Sequence, residues 1–255
     1  MLFMLLAIDV GNTRIKAAVF EGTNLVEQFA FAVLDFNKNM NSILTKHQNC
    51  TDLIVASVGK LNKNDFSAFN NQLKVHIIDN EFSVPFQNLY QTPKTLGIDR
   101  MVLALGAVLK FPKQNRLVID AGTCITYDFI DENDTYLGGA ISPGIHLRYH
   151  ALHNYTANLP LLDLEDFKKL FEKDNDFDII GNSTKNAIHS GVINGVVHEL
   201  DGFIEQYRKK YSNFIIILTG GDAEFLAKRL KNTIFVNPNF LLESLNQTFQ
   251  YNHND

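Results

Sequence analysis

The chain has 255 residues, a net charge of −5, and 45% apolar against 20% charged residues. That size suits one large domain or two small ones, with the balance of an ordinary soluble globular protein. A net acidic chain argues against broad nucleic-acid binding, and no run approaches the ~20 apolar residues of a membrane span.

The opening Met1 to Ile8 is apolar, lacks a basic leading segment and meets Asp9 at once. It predicts a buried strand over 2–10 rather than a signal peptide. Residues 14–20 predict its hairpin partner and 25–34 a third strand. A helix over 36–48, a short β-branched strand over 53–58, a helix over 64–73 and a strand over 75–78 follow. Strands alternating with helices after a hairpin indicate an α/β layer structure. Residues 80–96, with Pro85 and Pro93, predict a loop. Gly97-Ile98-Asp99-Arg100 then leads into Met101 to Val108, which is Ala/Leu-rich and predicts a buried helix.

A second hairpin begins at Leu117, and Gly138-Gly139 and Pro143-Gly144 punctuate a loop beyond it. Residues 184–211 predict the longest helix, with Ile188, Val192, Gly195 or Val196, Glu199 and Phe203 on one stripe. Gly191 and Gly195 each cost ~1 kcal/mol against alanine, so close helix packing is the expected return. Phe214 to Leu218 predicts an apolar strand, followed by Thr219-Gly220-Gly221-Asp222-Ala223 and a helix through Leu230. The tail after Phe249 is expected to fray. Cys50 and Cys124 offer neither a disulfide framework nor metal-ligand spacing, which suits a reducing, cytoplasmic compartment. Cys124 has no histidine in its local motif and reads as an inert, partly buried thiol.

One phrase occurs twice. Asp9-Val10-Gly11-Asn12-Thr13-Arg14-Ile15-Lys16 and Asp120-Ala121-Gly122-Thr123-Cys124-Ile125 align as Asp-x-Gly-Thr-x-Ile once Asn12 is dropped. Each copy follows an apolar run. Each therefore predicts strand, tight glycine turn, strand, with backbone N–H groups free to meet an anion. Lys16 adds a charge that reaches toward phosphate, and Asp9 ends a buried strand where a magnesium ion would satisfy it. An Asx-type turn with a solvated acid is the alternative for one copy alone; the repetition favours function. Thr219-Gly220-Gly221-Asp222 is either a plain strand-to-helix turn or a close approach to a flat ligand. Asp99-Arg100 is either a helix-capping acid with a surface arginine or a base with a carboxylate clamp. His146, His150 and His153 would meet on a helical face, but Pro143-Gly144 disfavour a helix there. Surface or pocket-rim histidines are preferred to a metal site.

Together these pieces resemble the acetate/sugar kinase, Hsp70 and actin superfamily, in which two duplicated ribonuclease-H-like halves grip ATP in an interdomain cleft. Within it, the chain resembles the type III pantothenate kinases. The resemblance runs nearly end to end. It rests on Asp9-x-Gly-Asn-Thr-x-x-Lys16, Gly97-x-Asp-Arg100, Asp120-x-Gly-Thr123, Gly138-Gly139-x-Ile141-x-Pro143-Gly144, Ala151-Leu152, Thr156-Ala157-x-Leu-Pro160, Gly181-x-Ser-Thr184 and Thr219-Gly-Gly-Asp222. It implies an α/β fold with halves at 1–115 and 116–255. It also implies ATP-dependent phosphorylation of pantothenate, the first step of coenzyme A biosynthesis. ATP would sit on Asp9, Val10, Gly11, Asn12, Thr13, Arg14, Ile15, Lys16 and Thr123. Asp99 would be the proton acceptor. Tyr90, Gly97, Ile98, Asp99, Arg100 and Thr184 would line the pantothenate pocket. Asp120 would hold a monovalent cation, potassium or ammonium, beside a magnesium requirement. The family implies a homodimer in which one subunit's pocket can be completed by its neighbour, and no nucleic acid or membrane as partner. Other small-molecule kinases or phosphohydrolases of the superfamily, and a non-catalytic nucleotide-binding regulator, are the alternatives.

Overall fold

The computed structural model describes residues 4–11, 14–57, 61, 63–79, 82–171 and 179–253. The elements run β1 (Met4–Val10), β2 (Arg14–Glu21), β3 (Asn24–Ala32), α1 (Phe36–Lys46), β4 (Asp52–Ser57), α2 (Lys63–Ser67), β5 (Lys74–Ile77), β6 (Gln87–Asn88) and α3 (Ile98–Lys110). They continue as β7 (Arg116–Ala121), β8 (Cys124–Ile130), β9 (Thr135–Pro143), α4 (Ile145–Asn154), α5 (Leu164–Phe171), α6 (Thr184–Lys210), β10 (Ile215–Thr219), α7 (Ala223–Ala227), β11 (Phe235–Val236) and α8 (Phe240–His253).

The duplication is visible in strand order. The first sheet is ordered β3-β2-β1-β4-β5, and the second β11-β10-β7-β8-β9-β6. Read from β9, the second is β9-β8-β7-β10-β11, the same order with β6 added at its edge. In both copies three consecutive strands precede a helical connection, a strand, a short helix, a last strand and a final helix. Contacts divide the chain into two compact units, one of residues 1–116, 128–138 and 239–255, the other of residues 117–127 and 139–238.

In the first unit β1 is antiparallel to β2 and parallel to β4. Leu5, Leu6, Ala7 and Ile8 are all fully buried. The run is continuously apolar because both sheet faces are covered. Leu6, Ile8 and Val10 pack with Phe36, Met40 and Ile43 of α1. α8 packs on β1 and on α3. At the α3–α8 crossing a Cβ on Gly106 would overlap the Ser244 side chain, so only glycine allows that approach. Asn246 Nδ2 donates to the Gly22 carbonyl at 2.9 Å, fastening α8 to the β2–β3 turn.

Several elements depart from the local reading. β3 stops at Ala32 and passes into a 3₁₀ turn over Val33–Asp35. α2 covers only Lys63–Ser67, with turns beyond. The loop expected around Gly138-Gly139 is strand β9. β9 lies beside β8 in the sheet, with β6 on its other side only at Thr135 and Tyr136, so its backbone partners are ones that local composition does not reveal. α4 forms despite Pro143-Gly144, because both precede it and Gly144 is its N-cap in extended conformation. α8 continues to His253, so Gln250 to His253, expected to fray, are helical; residues 254 and 255 lie outside the described residues. The His253 ring stacks on Phe249 at 4.1 Å and lies 4.6 Å from His76.

In the second unit α6 buries Ile188, Val192, Val196, Leu200 and Ile204, a strict four-residue stripe. Its end therefore runs through Leu200 and Ile204 rather than Glu199 and Phe203. Glu199 instead accepts from Tyr127 Oη (2.9 Å) and Ser142 Oγ (2.5 Å), and pairs with Arg148 at 2.6 Å. Burial pushes its carboxyl up, but the Ser142, Arg148 and Tyr127 hydrogen bonds outweigh it and hold the group below its usual value. A Cβ on Gly191 would meet nothing within 4 Å among the described residues, so none of them makes the close approach expected there.

Arg116 is the largest wholly buried side chain, and it closes a turn in the first unit. Its Nη1 donates to the Phe111 carbonyl (2.8 Å) and its Nη2 to the Asp131 carbonyl (2.5 Å), while both reach Asp134 at 2.8 Å. Asp134 sits in the left-handed region at φ 56°. Arg116→Ala strands two carbonyls and a carboxylate, so we expect a loss toward the low end of ~3–5 kcal/mol, because Asp134 keeps some solvent. Urea denaturation checks this; a loss below ~1 kcal/mol contradicts it.

Candidate active site

The first glycine turn is built on strand register. Asp9 lies opposite Lys16, and Val10 opposite Ile15. Directly opposed residues share a sheet face, so Asp9 and Lys16 are neighbours, both half-buried. Val10 and Ile15 are fully buried in the core, so what they present to the turn is backbone. Gly11 N–H donates to the Arg14 carbonyl at 3.1 Å, and Arg14 is exposed. Asn12 and Thr13 lie outside the described residues.

The second turn is tighter by one residue. Gly122 N–H donates to the Cys124 carbonyl at 2.9 Å. The extra Asn12 of the first copy thus has a structural counterpart: the bond closes three residues on in the first turn, and two residues on in the second. Thr123 and Cys124 are both exposed, which corrects the partly buried thiol expected at Cys124. The buried thiol is Cys50, pushed up to about 11 by desolvation.

Two distant glycines bracket this second turn. Gly144 N–H donates to the Thr123 carbonyl at 3.0 Å, and a Cβ there would overlap the Gly122 carbonyl oxygen. Gly220, at φ 97°, lies where a Cβ would overlap the Ala121 carbonyl and Asp120 Oδ1. Asp222 N–H donates to the Ala121 carbonyl at 3.0 Å. The Thr219-Gly220-Gly221-Asp222 motif therefore serves the turn that carries Asp120. Near it lie the Asp120 carboxylate and the main-chain carbonyls of Ala121, Gly122 and Thr123.

In the first unit Gly97 caps α3, and Asp99 and Arg100 occupy its first turn. Asp99 Oδ1 accepts from the Arg100 N–H at 2.9 Å. Burial raises the Asp99 carboxyl above its ordinary value, opposed by that backbone hydrogen bond and by the Arg100 charge. A raised carboxyl suits a proton acceptor, since base strength grows with pKa. Arg100 is only 5% exposed. It is not the surface arginine of the plain capping reading. Its Nε donates to Asp128 Oδ1 at 2.9 Å, and its guanidinium carbon lies 5.6 Å from the centre of the Tyr90 ring. Tyr136 Oη donates to the same Asp128 oxygen at 2.6 Å.

The structure thus brings Tyr90, Gly97, Ile98, Asp99 and Arg100 into one neighbourhood. Thr184 belongs to the other unit, exposed at the first turn of α6 behind the Ser183 cap. Asp128 and Tyr136 were missed. The available signal was an acid inside the apolar run Tyr127-Asp128-Phe129-Ile130, which demands a partner. His146, His150 and His153 are exposed on α4, and no group of three or more metal-ligating His, Cys, Asp or Glu exists among the described residues. Likewise, no helix among them is long and apolar enough to cross a membrane.

A repeated three-strand core and two glycine turns, each beside an acid, define a phosphotransferase of the actin-like, ribonuclease-H-like fold. Solved structures agree on the fold. A protein described as a Baf family transcriptional activator from Campylobacter jejuni superposes with TM-score 0.62 at 22% identity, covering 98% of this chain and 100% of that one. A glucokinase from an Antarctic psychrotroph gives 0.52 at 12% identity, covering both chains completely. The sequence model of the type III pantothenate kinases matches residues 5–206. The type III pantothenate kinase of Flavobacterium johnsoniae is 66% identical over 248 residues, 97% of this chain and 98% of that one. That of Bacteroides fragilis is 39% identical over 254 residues, 98% and 99% of the two chains. The chain belongs to the type III pantothenate kinase family.

Proposed function

We propose that this chain transfers the γ-phosphoryl group of ATP to the primary hydroxyl of pantothenate, giving 4'-phosphopantothenate and ADP at the entry to coenzyme A biosynthesis. The observation that carries the reading is the first turn of α3. There a carboxyl with raised pKa, Asp99, adjoins the buried guanidinium of Arg100. Asp99 accepts the hydroxyl proton as the pantothenate oxygen attacks γ-phosphorus, and the bond from γ-phosphorus to the bridging oxygen of ADP breaks. Such transfers have a loose transition state, so positioning and electrostatics contribute more than base strength. Arg100 holds the pantothenate carboxylate, with Tyr90, Gly97, Ile98 and Thr184 lining the substrate. The backbone of residues 9–16, Lys16 and Thr123 hold the nucleotide phosphates.

Magnesium ordinarily keeps several waters and takes one or two protein carboxylates alongside substrate phosphates. Asp9 beside the first turn fits that demand, and the ion would offset phosphate charge. Asp120 with the neighbouring main-chain carbonyls fits a monovalent cation, potassium or ammonium, because these donors are oxygen. Asp120→Asn is expected to weaken potassium stimulation of kcat/KM while leaving the fold intact. Stimulation equal to wild type places the cation elsewhere.

The reading carries halves at 1–115 and 116–255, a cytoplasmic location and a homodimer. Light scattering after gel filtration tests the last. A coupled ADP-release assay with pantothenate against a panel of sugars, with and without potassium, tests the function. Pantothenate-dependent release is the expected result. Faster release with a sugar, or none with any acceptor, overturns it.

A further inference from the structure

We infer that Asp128 and Tyr136 are positioning residues that hold the Arg100 guanidinium for an incoming carboxylate. The inference rests on the reading of Arg100 as the pantothenate clamp. An arginine stays charged in a protein, so a buried one needs a fixed counter-charge. Asp128, wholly buried on β8, is that counter-charge, 2.9 Å from Nε and 2.7 Å from Nη2. Tyr136, also wholly buried, donates to the same Asp128 oxygen at 2.6 Å. Burial and the Asp128 charge push the Tyr136 hydroxyl far above its ordinary value, so it remains a donor. The Tyr90 ring covers another side of the guanidinium, and Gly138 at φ 101° stands behind that ring, with a Cβ position 3.3 Å from it.

One donor is left over. Arg100 Nη2 is close to Asp128 but not aimed at it, and it is buried with no hydrogen-bond partner. Nη2 carries two N–H groups and the single oxygen beside it meets at most one, so on a fixed guanidinium the other points to an acceptor brought by a ligand. A guanidinium presents a fork that a carboxylate meets with two hydrogen bonds. Asp128 takes the Nε and Nη2 edge of the guanidinium, which leaves the outward edge, Nη1 and the second Nη2 hydrogen, for the substrate. The pair is electrically neutral overall, so Asp128 contributes direction rather than attraction.

That gives a test with opposed signs. Removing a negative charge beside a carboxylate site should tighten pantothenate binding if only charge mattered. If Asp128 positions Arg100, Asp128→Asn raises the KM for pantothenate by about 10- to 100-fold, the range of a lost hydrogen bond to a charged group. Tyr136→Phe raises it about fivefold. The KM for ATP stays within about twofold in both, a split that general loosening of the fold does not produce. In an Arg100→Met background, adding Asp128→Asn changes the pantothenate KM no further, because residues acting through one another are not additive. Tyr136→Phe keeps the test open should Asp128→Asn fail to fold. An unchanged or lowered pantothenate KM in a folded variant, or additive effects with Arg100→Met, overturns the positioning role. If Arg100→Met itself leaves the pantothenate KM unchanged, the clamp reading fails instead.

Discussion

Asp99→Asn is expected to fold, to bind ATP and pantothenate, and to turn over about 10²–10⁴-fold more slowly. The asparagine oxygen can still accept the Arg100 N–H, so the first turn of α3 keeps its hydrogen bond. What disappears is the site for the proton. The raised carboxyl sets the direction of two further results. A proton acceptor at Asp99 must be ionised, so on that proposal wild-type kcat/KM is expected to fall as pH drops toward the folded-state pKa. That acid limb lies above the ~3.9 of an ordinary aspartate and vanishes in the variant. For stability the sign is reversed from a salt-bridged aspartate. A folded pKa above the unfolded one means that the folded state binds the proton more tightly. Ionised Asp99 therefore costs stability at neutral pH, and the cost disappears as pH falls through the folded pKa and then the unfolded one. Asp99→Asn should melt at the wild-type temperature or slightly higher at pH 7. Near-wild-type kcat in this variant sinks the catalytic assignment.

Gly144→Ala is expected to lower kcat/KM for ATP by about 10²-fold, the scale of an ångström's misplacement in a reacting complex. Gly144 has φ −71°, which alanine adopts without strain. The effect is therefore purely steric. The new methyl overlaps the Gly122 carbonyl oxygen and lies 2.6 Å from that of Thr123. Both are backbone atoms and cannot rotate aside. The turn bearing Thr123 must shift, at about 1–3 kcal/mol in stability. Gly202→Ala is the control. Gly202 is exposed on α6 with nothing within 4 Å of its Cβ position, so that variant should gain up to ~1 kcal/mol with unchanged kinetics. A Gly144→Ala enzyme that melts earlier yet keeps its ATP kinetics would remove the Thr123 turn from the nucleotide site.

These two residues mark how far local sequence reaches. Asp99 was legible because its context is contiguous: a glycine, an acid and an arginine opening an apolar helix. Gly144 is legible in the sequence as punctuation and as part of a motif, without a role. Its meaning lies in contact with residues 122 and 123, and Gly220 reaches the same turn from a hundred residues away. Gly138-Gly139 reads as loop because glycines weaken a strand unless neighbours pair with it, and the sheet that places β9 beside β8 is not visible in local composition. α8 was expected to fray because its terminal residues are polar, but its inner face packs on α3 and β1.

By itself the sequence determined the repeated strand–turn–strand, the one-residue difference between its copies, the acid beside each turn and the Asp99-Arg100 pair. Each copy, and the Asp99-Arg100 pair, is a pattern within a dozen positions, where propensity and spacing act directly, and comparing two such patterns needs no contact between them. Tertiary structure decided what Arg100 is. Asp128 is 28 residues away and Tyr136 36, and a charge becomes a directed donor only when burial replaces water with fixed neighbours. It also decided that Gly144 and Gly220 serve the second turn, because steric exclusion between chain segments far apart in sequence leaves no local trace beyond a glycine.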